Sequence, residues 1–167
     1  MGLFSRIFPQ KELTIEPVDL SFLRNDIHSH LIPGIDDGSP DMETTIMLLK
    51  KFIDLGYKKV ITTPHIMSDY YKNTPEIILS GLDKVKAEIK KNNLDVEIEA
   101  AAEYNLEPEF EDLLEKNNLL TFGPEKYLLF ELSFFEEPPR VNDIIWKMRE
   151  KGVSPVLAHV ERYAYWH

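Results

Sequence analysis

Short apolar runs alternate with amphipathic stretches along this chain between about residues 22 and 158. The runs are rich in β-branched and aromatic residues, as buried strands are. The pattern predicts five strands, at 22–28, 58–63, 96–101, 127–132 and 153–158. Because strands that alternate with helices are joined by right-handed crossovers, the pattern indicates an α/β fold with a parallel sheet.

The segments between the strands carry helix signals. Ser39, followed by Pro40, is predicted to cap the first helix, and Thr74 is predicted to cap the second. Apolar residues recur at helical spacing after each cap. Two further helices are predicted near 107–117 and from 138 to Gly152.

This succession favours an α/β barrel, because no glycine-rich phosphate loop of the dinucleotide-binding type follows any strand. The last predicted strand ends near Ala158, and no helix is left in 159–167 to cover it. We predict one domain over 21–167, preceded by an arm at 1–20, and we expect the domain to lack its C-terminal part.

Composition narrows the chemistry. The chain has no cysteine, so any metal must be held by nitrogen and oxygen ligands. A formal net charge of −10 argues against a nucleic-acid partner. No apolar run reaches the roughly 18 residues that a membrane span needs, and the first residues lack the pattern of a secretory signal. A cytoplasmic location is therefore predicted, and the oligomeric state stays open.

Histidine and glutamate residues follow or end the predicted strands, and chemistry in α/β folds collects at the carboxyl ends of strands. The candidates are His28, His30, His65, Glu103, Glu131 and His159. The two histidines of the first strand are two residues apart, so both rings project from one face. Such a mixed set suits manganese, iron or zinc better than magnesium or calcium.

Each candidate also has an ordinary structural interpretation. A lone histidine at a strand end is often simply hydrogen-bonded, and Glu131, inside an apolar run, can be neutralised by a salt bridge. The convergence of all of them on one end of one sheet favours a shared site.

The chain resembles the polymerase and histidinol phosphatase (PHP) superfamily and, within it, the bacterial capsule-associated tyrosine phosphatases. The resemblance covers residues 24–166 and rests on Asp26-Ile27-His28-Ser29-His30, Asp36-Asp37-Gly38, Thr63-Pro64-His65, Ala102-Glu103, Phe130-Glu131-Leu132-Ser133 and Ala158-His159-Val160-Glu161-Arg162-Tyr163. It implies a distorted TIM-like PHP barrel, of whose seven units five are present, with two to three ions of Mn²⁺, iron or zinc.

The resemblance also implies roles for individual residues. The three implied ion sites are His28, His30 and Glu103; Glu103, Glu131 and His159; and His65 with one aspartate of the Asp36-Asp37 pair, preferably Asp37. Arg162 matches an arginine that binds phosphate and assists catalysis. The alternatives are that the aspartates only shape a turn and that Arg162 pairs with a glutamate.

The function that follows is a metal-dependent protein-tyrosine phosphatase linked to control of capsular and exopolysaccharide synthesis. A water shared by two cations would attack phosphorus, and Tyr70 and Phe134 would line a slot for the phosphotyrosine ring. A bacterial tyrosine autokinase is the implied partner. The alternatives are a small-molecule phosphatase of the histidinol phosphatase type and an inactive metal-binding or partner-binding remnant. The resemblance implies a later Asp-x-His motif that 1–167 lacks, so we do not expect full activity from this chain alone.

Overall fold

Strands and α-helices alternate along the part of the chain that the computed structural model describes, residues 21–166. The predicted arm at 1–20 and the last residue, His167, lie outside the described residues. In chain order the elements are β1 (Asn25–Ser29), α1 (Met42–Asp54), β2 (Lys59–Thr62), β3 (His65–Ile66), α2 (Pro75–Lys91), β4 (Glu97–Ala100), β5 (Glu103–Asn105), α3 (Pro108–Glu115), β6 (Tyr127–Glu131), α4 (Val141–Glu150) and β7 (Ser154–Leu157).

The strands form two sheets, in the orders β1-β2-β4 and β3-β5-β6-β7, and every pairing within them is parallel. The predicted parallel α/β fold is therefore confirmed. The sheets do not close into a ring within residues 21–166, and closure of a barrel stays a prediction.

Two of the five predicted strands are each followed by a second, short strand that was not predicted. The run at 58–63 ends as β2, and the chain pairs again as β3 after Pro64, which has no N–H to donate. The run at 96–101 is followed in the same way by β5. Backbone bonds from Ala101 N to Thr62 O (2.9 Å) and from Glu103 N to Pro64 O (3.0 Å) keep the two bent strands side by side. Each bent strand thus contributes to both sheets.

The predicted cap of the first helix is wrong by two positions. Asp41 is the N-cap residue of α1, and its carboxylate accepts a hydrogen bond from Thr44 N at 2.7 Å. Ser39 is instead buried, and its hydroxyl donates to Asp41 O at 2.9 Å and accepts from the Thr45 hydroxyl at 2.8 Å. Its polar group therefore stabilises the turn before the helix.

The other helix boundaries differ less. Thr74 caps α2 as predicted, accepting from Ile77 N at 3.4 Å. The fourth helix begins at Val141, after Arg140 in the left-handed conformation (φ 67°), and not at the prolines near 138. Separate apolar clusters lie under α1 with α2 and under α3 with α4.

Gly81 lets α2 approach the loop that follows β1. A Cβ atom at this position would lie 2.2 Å from Cγ2 of the buried Ile32. We expect Gly81→Ala to lower the free energy of unfolding by about 1–3 kcal/mol, because overpacking outweighs the roughly 1 kcal/mol gain in helix propensity. Urea unfolding measures this, with exposed Ser80→Ala as the control. A Gly81→Ala protein more stable than the wild type would contradict the expectation.

Candidate metal centre

The buried carboxylate of Glu103 lies at the centre of four imidazoles. Glu103 opens β5 and is 0% exposed. Its Oε2 atom lies 3.1 Å from His28 Nε2, 3.3 Å from His30 Nε2 and 3.4 Å from His65 Nδ1, and its Oε1 atom lies 3.0 Å from His159 Nε2. Segments that are far apart in sequence therefore meet at one side chain.

The register of the strands explains this convergence. His65 opens β3 directly opposite Glu103 in β5, and Glu131 ends β6 opposite Asn105. The two histidines of the first strand lie near its carboxyl end, with their Nε2 atoms 3.5 Å apart. His159 follows β7 with φ of 51°, a left-handed conformation that costs a non-glycine residue about 1–2 kcal/mol. The loop therefore holds this ring at the site despite backbone strain.

Both aspartates of the 36–37 pair contact the cluster. Asp37 Oδ1 lies 3.5 Å from His65 Nε2, and Asp37 is largely exposed. The side chain of Asp36 is buried, and its Oδ2 atom lies 2.8 Å from His30 Nδ1 and accepts from His65 N at 3.1 Å. The pair therefore does more than shape a turn. Asp36 orients the ring of His30 from behind, a role that the sequence analysis did not assign.

Gly38 allows this loop to close over the site. A Cβ atom there would lie 2.2 Å from His30 Cβ and 2.4 Å from His30 O, so only glycine fits. The close approach places Ser39 N 3.0 Å from His30 O. The glycine after the two aspartates was the sequence signal for this contact.

Charge in the cluster is balanced by shared protons. Burial would lower the pKa of His30, but hydrogen bonds to Asp36 and Glu103 raise it to about 9. Burial would raise the pKa of Glu103, but hydrogen bonds from His28 and His30 hold it well below its ordinary value. A divalent cation would displace such protons, since imidazole binds metals in its neutral form.

Two buried atoms that could serve as metal ligands indicate whether the cluster fits a metal. His65 Nδ1 and Glu103 Oε1 have no hydrogen-bond partner among residues 21–166. Both have a close polar neighbour, Glu131 Oε1 at 3.2 Å and His159 Nε2 at 3.0 Å, but neither pair has hydrogen-bond alignment. Buried polar atoms are rarely left unpaired, and nitrogen–oxygen donors directed at shared points fit divalent cations.

Three groups of donor atoms, each within 4.8 Å of one another, can each hold an ion: His28, His30 and Glu103; His30, Asp37 and His65; and His65, Glu103 and Glu131. The first matches an ion site implied by the resemblance. The second contains His65 and Asp37, which the resemblance implied for one ion. In the third, Glu131 is grouped with His65 and not with His159, which contacts the other carboxylate oxygen of Glu103. Assignment of residues to particular ions stays a prediction.

Arg162 lies beside the cluster. Its guanidinium carbon is 3.9 Å from the centroid of the Phe134 ring. No carboxylate of the described residues forms an ion pair with it, so the predicted alternative of a glutamate partner is not observed. Arg162 and Phe134 line a cavity of 460 Å³ together with His30, His65 and Glu131. Tyr71 also lines it and stacks on His65, with ring centroids 5.3 Å apart.

Tyr70 lies apart from this cavity. Its ring is 80% exposed and lines an adjoining cleft that shares Phe134 with the cavity. The two aromatic residues predicted to contact substrate are therefore brought to neighbouring spaces. The stacking of Tyr71 on His65 depends on the loop that carries both tyrosines.

The fold and the site together define the class of protein. It is a parallel α/β protein in which histidines and carboxylates at one rim form a candidate multi-metal centre. Residues 24–166 match the family described as capsular polysaccharide synthesis, CpsB/CapC, and the chain belongs to that family. The tyrosine-protein phosphatase YwqE of Bacillus subtilis is 31% identical over 137 residues, which are 82% of this chain and 54% of that relative. The tyrosine-protein phosphatase CpsB of Streptococcus pneumoniae is 28% identical over 138 residues, or 83% of this chain and 57% of the relative.

A solved structure supports the same grouping. It comes from work on YwqE from Bacillus subtilis and CpsB from Streptococcus pneumoniae, described there as metal-dependent tyrosine phosphatases. It matches with a TM-score of 0.76 and 29% identity, covering 83% of this chain and 56% of the solved chain. The chain thus spans little more than half the length of the relatives it matches.

Proposed function

We propose that this chain carries the metal centre of a protein-tyrosine phosphatase of the capsule-synthesis type. The observation that supports this most directly is the buried Glu103 carboxylate among four imidazoles, with Arg162 beside them. The relatives that bear the name tyrosine-protein phosphatase support the substrate class. Manganese is the proposed metal, with iron and zinc as alternatives.

The protein's own groups bind and orient the phosphate. Arg162 presents N–H donors that can hold two oxygens of a phosphate at once, and its stacking on Phe134 restricts where the guanidinium lies. The imidazoles and carboxylates would hold the cations, and Asp36 fixes the ring of His30. Bound divalent cations would supply Lewis acidity, which lowers the pKa of water and offsets phosphate charge.

The phosphotyrosine ring is proposed to lie against Phe134, at the boundary of the cavity and the adjoining cleft. A bacterial tyrosine autokinase is the proposed partner, on the resemblance described above. No helix within residues 21–166 is long and apolar enough to cross a bilayer. The cytoplasmic location stays a prediction.

A substrate panel tests this proposal. The manganese-loaded chain is expected to hydrolyse a phosphotyrosyl peptide with a kcat/KM at least about tenfold above that for histidinol phosphate, because the aromatic walls bury the tyrosine ring. Phosphate release measures both reactions. The reverse preference would favour the small-molecule phosphatase. Hydrolysis of neither substrate, with manganese bound, would favour the inactive metal-binding module.

A further inference from the structure

A second cleft adjoins the metal centre. It has a volume of 290 Å³ and shares Met67, Glu131 and Phe134 with the cavity that Arg162 lines. Its other lining residues include two aromatic and two acidic residues beside leucine, asparagine and serine, and no lysine, arginine or histidine of the described residues lines it. The cavity therefore combines Arg162 with carboxylates, whereas the described residues that line the cleft carry carboxylates and no cationic side chain.

Two of the three carboxylates at the cleft, those of Asp69 and Glu107, have no cationic partner among residues 21–166. Glu107 accepts hydrogen bonds from Ser68 N at 2.6 Å and from Asn105 Nδ2 at 3.4 Å, and these neutral donors fix its position but leave its charge uncompensated. Asp69 is exposed and has neither a hydrogen bond nor an ion pair from any residue in 21–166. Glu131 differs, because it contacts His65 at 3.2 Å and belongs to the metal centre. Two negative charges are thus available at the cleft.

Aromatic rings stand at the edge of the same cleft. Tyr70 is 80% exposed and Phe135 is 97% exposed. Tyr70 lies in a tight loop closed by two backbone hydrogen bonds between Met67 and Tyr71, at 3.0 and 3.1 Å. Large exposed aromatics on an ordered loop are typical of surfaces that contact a ligand. Ring faces and carboxylates together bind a cation with an aliphatic stem.

We infer that this cleft binds a lysine or arginine side chain next to the phosphotyrosine of the substrate protein. The inference rests on the proposed function. With the phosphate held at the cavity beside Arg162, a neighbouring side chain of the peptide reaches the shared wall at Phe134 and enters the cleft. Its stem packs on the aromatic rings, and its charged end meets Asp69 and Glu107. The site thus selects a substrate that carries a positive charge beside the phosphorylated residue.

The test measures binding, so it does not depend on turnover. Peptides with a non-hydrolysable phosphonate analogue of phosphotyrosine carry lysine, alanine or glutamate at the flanking positions. Their binding to the manganese-loaded full chain is followed by fluorescence anisotropy. Lysine is expected to bind roughly three- to tenfold more tightly than alanine, and glutamate more weakly than alanine. The preference should shrink at about 0.5 M salt, because exposed charges are screened.

Charge-removing variants locate the effect. The double change Asp69→Asn with Glu107→Gln should abolish the preference for lysine, and Gln at 107 can still accept from Ser68 N. Asp83→Asn, an exposed position on α2 outside the cleft, is the matched control and should keep the preference. Equal binding of the lysine and alanine peptides at low salt would overturn the inference, as would an unchanged preference in the double variant.

Hydrolysis of p-nitrophenyl phosphate separates the two proposals, since this substrate has no flanking residues. Hydrolysis without any peptide preference would overturn only the inference about the cleft. A lysine preference without hydrolysis would support the cleft and count against the phosphatase. A manganese-loaded chain that neither binds any peptide nor hydrolyses the small substrate would overturn both.

Discussion

Treatment with EDTA is expected to lower the rate of p-nitrophenyl phosphate hydrolysis by about a thousandfold or more, and added Mn²⁺ is expected to restore it. The reason is the composition of the site. The chain contains no cysteine, so a cysteinyl-phosphate route is closed, and Arg162 can bind a phosphate but cannot activate water. Lewis acidity worth several kcal/mol must come from the ions that the cluster fits, and each 1.36 kcal/mol is a factor of ten in rate.

A second readout tests the metal centre without turnover. Mn²⁺ is expected to raise the midpoint of thermal unfolding of the EDTA-treated chain, because a ligand that binds only the folded state stabilises it. Ca²⁺ is the matched control and should shift the midpoint less, since it prefers shells made of oxygen alone. Hydrolysis by the EDTA-treated chain at the manganese-loaded rate would contradict the mechanism. Manganese binding without hydrolysis would contradict only the catalytic part of the proposal.

The convergence of the histidines and carboxylates could be predicted from the sequence because one geometric rule governs it. Parallel strands place their carboxyl ends on one rim, so residues as distant as His28 and His159 could be expected to meet. The strand order follows from the same rule, since successive units of a parallel fold lie side by side. Apolar runs and capping residues were enough to locate most elements.

The bends after β2 and β4, which begin the short strands β3 and β5, could not be predicted from periodicity. A run such as 58–63 shows where apolar residues stand, but the bend at Pro64 depends on how both sheets pack. As a result, His65 and Glu103 are the first residues of β3 and β5. The sequence had instead suggested that both residues lie in loops, after the preceding strands had ended. Glu103 is accordingly paired on both sides, with His65 and Leu129, and His65 in the edge strand β3 is paired with Glu103 on one side.

The cap of α1 and the role of Asp36 depended on tertiary contacts. Ser39 and Asp41 are both good capping residues, and burial of Ser39 against Thr45 decides between them. In the same way, Asp36 and Asp37 are equivalent in sequence. The turn at Gly38 directs one of them behind His30 and the other toward His65, and no local pattern reports that direction.

Glu103→Gln is expected to weaken Mn²⁺ binding by more than about 100-fold, and phosphatase activity should fall with it. Glutamine keeps the shape of the side chain but loses the negative charge, and its amide nitrogen cannot bind a cation. Mutation of a residue that only hydrogen-bonds to a metal ligand already lowers metal affinity by about 10–100-fold. Glu103 contacts four imidazoles directly and takes part in two of the three donor groups, so its replacement should affect more than one ion.

The same variant should also destabilise the metal-free chain. Because the pKa of Glu103 is held below its ordinary value, the carboxylate stabilises the fold at pH 7, and that contribution is lost only as the pH falls through the lowered pKa. Removing its charge should lower the free energy of unfolding by about 3 kcal/mol, since partly buried histidines such as His30 lose a partner. Exposed Glu97→Gln on β4 is the matched control, with an expected change within about 0.5 kcal/mol. Titration of Mn²⁺ by calorimetry and urea unfolding measure the two effects. A Glu103→Gln variant that binds Mn²⁺ as tightly as the wild type would show that this carboxylate is not a metal ligand.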